Sequence, residues 1–344
     1  MKKISLLSPG NLKVYNSDEE IILQKGTVKV KVNACGICGS DLALISGKRD
    51  ITKERYFGHE FSGVITEVSD ESTGLRAGMR VASELSRTCG QCWNCLNGLP
   101  NYCRNMNDVL LPGGFTEETL VRETADYSFL SVIPDTIDDI TASLLEPTNC
   151  AYHIAMQAKM KPGDTVAVFG LGAMGIIAAI ILKSMGAGPI VGFGRSAGKL
   201  EQVRKTSLLD AVLRNDEEGR KQAMDFCENK GFDIVIEATG TAPVLQDAMG
   251  LVRYGGRVVV GSVYHGTIPE FNPLPIMRKE ITIVGAKGPT TYRKTDGSSA
   301  VVGVMDRIQS DLKKIITVYN YEDALKAFDD ARNSKAIKAV IRYN

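Results

Sequence analysis

The sequence predicts an α/β protein of two domains, a β-rich one followed by a doubly wound parallel sheet, and three observations carry that expectation. The chain has 344 residues, beyond the roughly 250 to 300 at which a single core stops growing. Its first part, to about residue 145, carries short alternating apolar runs bounded by glycines, with no helical crossover long enough to make a sheet parallel. After Lys161-Pro162-Gly163-Asp164 continuous apolar runs alternate with helical stretches, the pattern of a parallel sheet covered on both faces.

Taken in order, the apolar stretch Ile4 to Leu7 behind Met1-Lys2-Lys3 is too short for the roughly 7- to 15-residue core of a secretion signal, so a cytoplasmic protein is expected. Residues 27–34, TVKVKVNA, alternate valine with polar residues at the period of a half-buried strand. Runs at 61–68, 80–83 and 115–121 extend that sheet. In the second region 165–169 is a buried strand, 173–185 a buried helix and 190–193 a second strand, with further strands at 232–236 and 257–260. The apolar run 176–185 is too short for the roughly 20 residues that span a bilayer. Near the C-terminus a helical pattern over 322–333, with Ala324, Leu325 and Phe328 on one face, leads into a strand at 336–341. Hydrophobic residues are 44% and charged ones 24%, a folded composition throughout. A net charge of +1 from 41 basic and 40 acidic residues gives no field to gather nucleic acid or an anionic membrane, so neither is an expected partner.

Four of the eight cysteines fall at Cys89, Cys92, Cys95 and Cys103. That spacing brings four thiolates to one tetrahedral zinc, with Gly90, Gly98 and Pro100 supplying turns. A four-sulfur shell has no open position, so this zinc is expected to be structural. A second metal site is suggested by Gly36-Ile37-Cys38-Gly39-Ser40-Asp41 followed by Gly58-His59-Glu60. Alone, Cys35 and Cys38 would read as a redox dithiol and His59 as a core histidine; beside a zinc lobe they read as ligand types. Gly170-Leu171-Gly172-Ala173-Met174-Gly175 joins a strand to a helix, where glycines permit the tight turn and the close approach of a pyrophosphate. The next strand ends in Gly194-Arg195-Ser196. No carboxylate stands there to bind a ribose 2′-hydroxyl or repel a 2′-phosphate, and Arg195 offers a donor fork, so NADP(H) is expected over NAD(H).

With these motifs the chain resembles, over nearly its whole length, the zinc-containing medium-chain alcohol and polyol dehydrogenases of the sorbitol dehydrogenase type. The resemblance implies a GroES-like zinc-binding catalytic domain over residues 1–148, a Rossmann dinucleotide domain over 149–288 and a return to the first domain over 289–344. It assigns the catalytic zinc to Cys38 and His59, with Glu60 or Glu146 as third protein ligand, makes Cys35 a packing residue, and thus implies two Zn²⁺ per chain. The reaction is then hydride transfer between NADP(H) and a secondary alcohol, polyol or sugar. Ser40 stands where the family places the hydroxyl that bonds the reacting oxygen and passes its proton outward. Many relatives continue that relay through a histidine three residues on, where this chain has Ala43, which argues against the threonine dehydrogenase branch. His153 and His265 are expected to be structural. Cations at Lys48, Arg49, Lys53 and Arg55 form a solvated face or, if they border the cleft, favour a phosphorylated or carboxylated sugar. The family's bacterial members further imply a homotetramer. Two other readings compete: a zinc-free quinone or enoyl reductase, which would lack the cysteine lobe, and a non-catalytic binding protein, which would not need the second ligand set.

Overall fold

The computed structural model describes residues 1–49, 57–70, 73–84, 89, 91–105, 113–123, 129–264, 267, 268, 270–288 and 299–343. The chain divides into two compact units, one of Met1–Asn149, Pro289–Gln309 and Ile316–Asn344, the other of Cys150–Gly288 and Ser310–Ile315.

In the first unit β1 (Lys2–Ser8) and β2 (Asn11–Asn16) form an antiparallel hairpin. Then come β3 (Thr27–Gly36), β4 (Glu60–Val68), β5 (Arg80–Ser83), β6 (Glu118–Arg122) and β7 (Leu130–Val132). The alternation in β3 does what its period requires: Val28, Val30 and Val32 are buried while Lys29 points outward to Glu67 on β4, at 2.9 Å. β3 pairs antiparallel with β4 along most of its length and with β6 over its first half. The core collects Val28, Phe61, Ile65, Phe129, Phe328 and Ile341. The expected strand at 115–121 starts at Glu118 instead, because Thr116 only bridges Lys3 while Phe115 turns inward to stack edge-on against Phe57 and Phe328.

The second unit carries β8 (Val166–Phe169), β9 (Ile190–Gly194), β10 (Ala211–Arg214), β11 (Phe232–Glu237), β12 (Val252–Val260) and β13 (Thr282–Gly285) in one parallel sheet of order β10-β9-β8-β11-β12-β13. All four residues of β8 are buried, as a strand covered on both faces must be. Phe169 and Phe193, paired across β8 and β9, stack with centroids 4.7 Å apart. The order reverses between β8 and β11, the place where sheets of this class open a crevice at the carboxyl ends of their strands.

The chain then returns to the first unit. β14 (Ile316–Asn320) runs parallel to β15 (Lys338–Arg342), and β15 pairs antiparallel with β3, Val340 opposite Gly36. Between them the helix Ala324–Arg332 follows a 3₁₀ turn at Tyr321–Asp323. Ala324, Ala327 and Phe328 face inward, whereas Leu325, expected on that face, is 56% exposed. Among the described residues no helix is long and apolar enough to cross a membrane.

Candidate metal and dinucleotide sites

β3 ends at Gly36 directly opposite the first residue of β4, Glu60. That pairing brings the residues just beyond both strand ends together: Cys38, which caps the helix Gly39–Ile45, and His59. The ligand atoms of Cys38, His59 and Glu60 lie within 4.8 Å of one another, and His59 and Glu60 are buried. A Cβ at Gly36 would collide with the Glu60 carboxylate, so a larger residue there would displace that side chain.

Two charged groups unassigned in the sequence hold this cluster. Asp41, fully buried, accepts the N–H of Cys38 at 2.8 Å and that of Gly58 at 3.1 Å, and stands 3.9 Å from His59 Nδ1. It thus ties the Cys38 turn to the His59 turn. Burial pushes its own carboxyl pKa up, against the pull of His59 and the two N–H groups. Lys338, buried on β15, forms an ion pair with Glu60 and donates to the Ile37 carbonyl at 3.1 Å. Burial opposes its charge, but Glu60, Cys38 and Glu146 raise its pKa above the ordinary lysine value. Burial likewise works against a charged His59, and Cys38, Asp41 and Glu146 more than offset it. A lysine in the apolar run 336–341 was the one signal in the sequence for this counter-charge.

Glu146 occupies the first turn of the helix Leu145–Ala158, is 4% exposed, and lies outside the 4.8 Å cluster although its charge is felt by His59 and Lys338. The Ser40 hydroxyl is buried without a hydrogen-bond partner, which is costly unless a ligand supplies one. The thiol, imidazole and carboxylate donors, with an orphaned hydroxyl two residues from Cys38 in the chain, fit a zinc that keeps one position open. Cys35 does not join them; its thiol is buried, donates to the Gly58 carbonyl at 3.5 Å, and has its pKa pushed well up by burial, so it packs rather than reacts.

The thiols of Cys89, Cys92, Cys95 and Cys103 also lie within 4.8 Å of one another. The N–H groups of Arg104 and Cys95 pull the Cys92 thiol down to about 6, and that of Gln91 lowers Cys89. Backbone donors aimed at sulfur favour thiolates, the form that binds zinc. Gly98 takes φ +74° and Pro100 opens a 3₁₀ turn, while Gly90 lies outside the described residues.

At the glycine turn after β8, Gly170 takes φ +102°, and a Cβ on Gly175 would lie 2.0 Å from the Gly170 carbonyl oxygen. Gly172 opens onto empty space and caps the helix Ala173–Ser184 without a side-chain bond. The N–H groups of the first turn, at Ala173 and Met174, are thus left for an anion. β9 ends at Gly194; Arg195 is exposed, and Ser196 caps the helix Ala197–Arg204 by accepting the Lys199 N–H at 3.3 Å. Two more cations flank this turn. Burial lowers Lys199 to about 8, and Arg214 on β10 stands in register with Gly194. His153 is buried, and that burial lowers its pKa. His265 and the cations Lys53 and Arg55 lie outside the described residues.

A four-thiol lobe, a mixed thiol, imidazole and carboxylate cluster, and a parallel sheet with an open glycine turn together define a zinc-type dehydrogenase. The family of the alcohol dehydrogenase GroES-like domain matches residues 24–133 and that of the zinc-binding dehydrogenases residues 173–312. Sorbitol dehydrogenase of Bacillus subtilis is 32% identical over 276 residues, 78% of this chain and 77% of that one. D-arabinitol dehydrogenase 1 of Uromyces fabae is 28% identical, with 98% and 95% covered. A Sinorhizobium meliloti protein assigned as a zinc-binding dehydrogenase and solved with NADP bound matches with a TM-score of 0.80 at 26% identity, covering 99% of each chain. The chain belongs to the zinc-dependent medium-chain alcohol and polyol dehydrogenases, with a GroES-like domain and a Rossmann-type domain, and is an oxidoreductase acting on alcohols or polyols.

Proposed function

We propose that this dehydrogenase binds two zinc ions per chain, prefers NADP(H) to NAD(H), and interconverts a polyol, sugar or other secondary alcohol with its ketone, sugar phosphates included. The observation that carries the reading is the gathering of Cys38, His59 and Glu60 within 4.8 Å, with the unpartnered hydroxyl of Ser40 two residues along the chain from Cys38. Zinc held there would supply Lewis acidity toward the substrate oxygen, and a dinucleotide at the Gly170 turn would supply the hydride donor or acceptor.

Cys38, His59 and a carboxylate of Glu60 or Glu146 hold the catalytic metal, and Cys89, Cys92, Cys95 and Cys103 the structural one. Asp41 fixes the Cys38 and His59 turns against each other, and Lys338 balances the Glu60 charge. The Ser40 hydroxyl bonds the substrate hydroxyl and takes its proton while releasing its own outward, to the nicotinamide ribose, a water chain or a glutamate of the metal site, because Ala43 offers no imidazole to carry it further. Gly170, Gly172, Ala173, Met174 and Gly175 cradle the pyrophosphate, and Gly194, Arg195 and Ser196 receive the 2′-phosphate. The catalytic domain comprises residues 1–148 and 289–344, the dinucleotide domain residues 149–288, and the enzyme works in the cytoplasm as a homotetramer. The sorbitol and arabinitol named for its relatives support polyols as the first substrates to try.

A panel of polyols, sugar phosphates and small ketones with NADPH and NADH, followed at the nicotinamide absorbance, tests the substrate class. Metal analysis should find about two zincs per chain, and Cys38→Ala should abolish turnover while dinucleotide binding survives. One zinc with intact turnover, or full turnover in Cys38→Ala, defeats the assignment.

A further inference from the structure

Glu237 ends β11 with no exposure to solvent, and its carboxylate accepts from five donors. Oε1 takes the Thr239 N–H at 2.7 Å, the Thr239 hydroxyl at 2.5 Å and the Gly240 N–H at 3.2 Å. Oε2 takes the Ser262 hydroxyl at 2.5 Å and the Tyr264 phenol at 2.6 Å. Ser262 in turn accepts the Gly240 N–H at 2.9 Å, so one side chain stitches the loop after β11 to the loop after β12. Burial and the Glu237 charge together push the Tyr264 pKa up, keeping the phenol a donor.

The loop after β11 bears directly on the glycine turn after β8. The Ala238 N–H donates to the Phe169 carbonyl at 2.8 Å, and a Cβ on Gly170 would stand 2.7 Å from the Ala238 carbonyl oxygen and 3.1 Å from the Thr239 methyl. These loops leave the sheet where its strand order reverses, between β8 and β11, the crevice in which such sheets bind their ligand.

We propose that Glu237 is a positioning residue for the dinucleotide, holding the loops after β11 and β12 at the strand-order reversal so that the Gly170 turn keeps the shape a pyrophosphate needs. The proposal rests on reading that turn as the dinucleotide site. An ionised carboxylate suits the task because it is acceptor-only and faces only donors. Glutamine would turn its NH₂ against one group of them, and hydrogen bonds to a charged group are the stronger kind.

The test is calorimetric titration of NADPH into the zinc-loaded wild type, Glu237→Gln and Tyr264→Phe. Glu237→Gln should raise the NADPH Kd about tenfold and Tyr264→Phe by less, with zinc content, the KM for polyol and kcat at saturating NADP⁺ unchanged. A Kd equal to wild type in Glu237→Gln overturns the proposal. So does a rise of Kd and polyol KM together with a parallel fall of kcat and melting temperature, the pattern of a residue that only holds the domain together. Should Glu237→Gln not fold, Tyr264→Phe decides: a raised Kd with kcat intact supports the proposal and an unchanged one overturns it. Failure of the wild type to bind NADPH and NADH would instead remove the dinucleotide reading beneath it.

Discussion

At the carboxyl end of β9 a 2′-phosphate would meet a guanidinium and no carboxylate. A charge-assisted contact from Arg195 contributes roughly 1.5 to 3 kcal/mol, about tenfold to hundredfold in preference. Arg195→Ala should therefore lower the ratio of kcat/KM for NADPH over NADH by about that factor; an unchanged ratio refutes the role. Introducing aspartate at Gly194 as well should reverse the order, though its Cβ would lie only 3.0 Å from side-chain carbons of Leu171 and Leu200. Arg195→Ala alone is the cleaner test because it disturbs no packing. Gly194, Arg195 and Ser196 were readable because a strand end announces itself in the sequence. Arg214 was not, since only the parallel register of β10 on β9 sets it beside Gly194. Asp41 and Lys338 escaped for a related reason: what each charge does depends on partners 17 and 278 residues away.

Among elements, the cysteine lobe depends most on something besides its own packing. Its helix, Trp93–Leu96, has four residues and buries none of them, while Leu96 and Tyr102 are 73% and 47% exposed. So short a helix does not persist by itself, and the zinc proposed for the four thiolates would supply the folding energy. Trp93, the chain's single tryptophan, sits there 59% exposed. Cys92→Ser should drop the metal content from about two zincs to about one and shift the Trp93 emission, as should a chelator acting on the wild type. Two zincs retained in Cys92→Ser would contradict the lobe's role. Spacing alone revealed this element, just as alternation revealed β3 and continuous burial revealed β8. β1, β2, β10, β13 and β14 gave weaker signals because each mixes buried, partly buried and exposed positions or none fully buried, which blurs the period. The Leu325 face was misread because the buried stripe runs through Ala324, Ala327 and Phe328, spaced i, i+3 and i+4, so the residue one step after Ala324 turns away from it.

For the molecule as a whole the relevant feature is the outer edge of the parallel sheet. β13 closes the strand order with one side unpaired among the described residues, and Leu274 and Met277, on the short helix before it, are 41% and 69% exposed. An open edge beside apolar side chains is a template for another strand unless it is covered. Light scattering should give about four times the 37.3 kDa chain mass, and a monomer would overturn the tetramer. The division into a β-rich unit and a parallel sheet was legible from the change of pattern after residue 164. The return of residues 289–344 to the first domain was expected only through the family resemblance, because the pairing of β15 with the distant β3 leaves no local mark in the sequence.

That return also orders events in time. Lys338 serves the Ile37 carbonyl from 301 residues away, and a nascent chain grows at roughly 5 to 20 residues per second. The six strands of the parallel sheet, complete at Gly285, all leave the ribosome before β15 does. One unit can thus assemble its sheet while β3, already able to pair with β4 and β6, still lacks β15, and Glu60 its counter-charge. The cluster of Cys38, His59 and Glu60, made of residues synthesised early, thus waits for Lys338, near the C-terminus, to complete its set of partners.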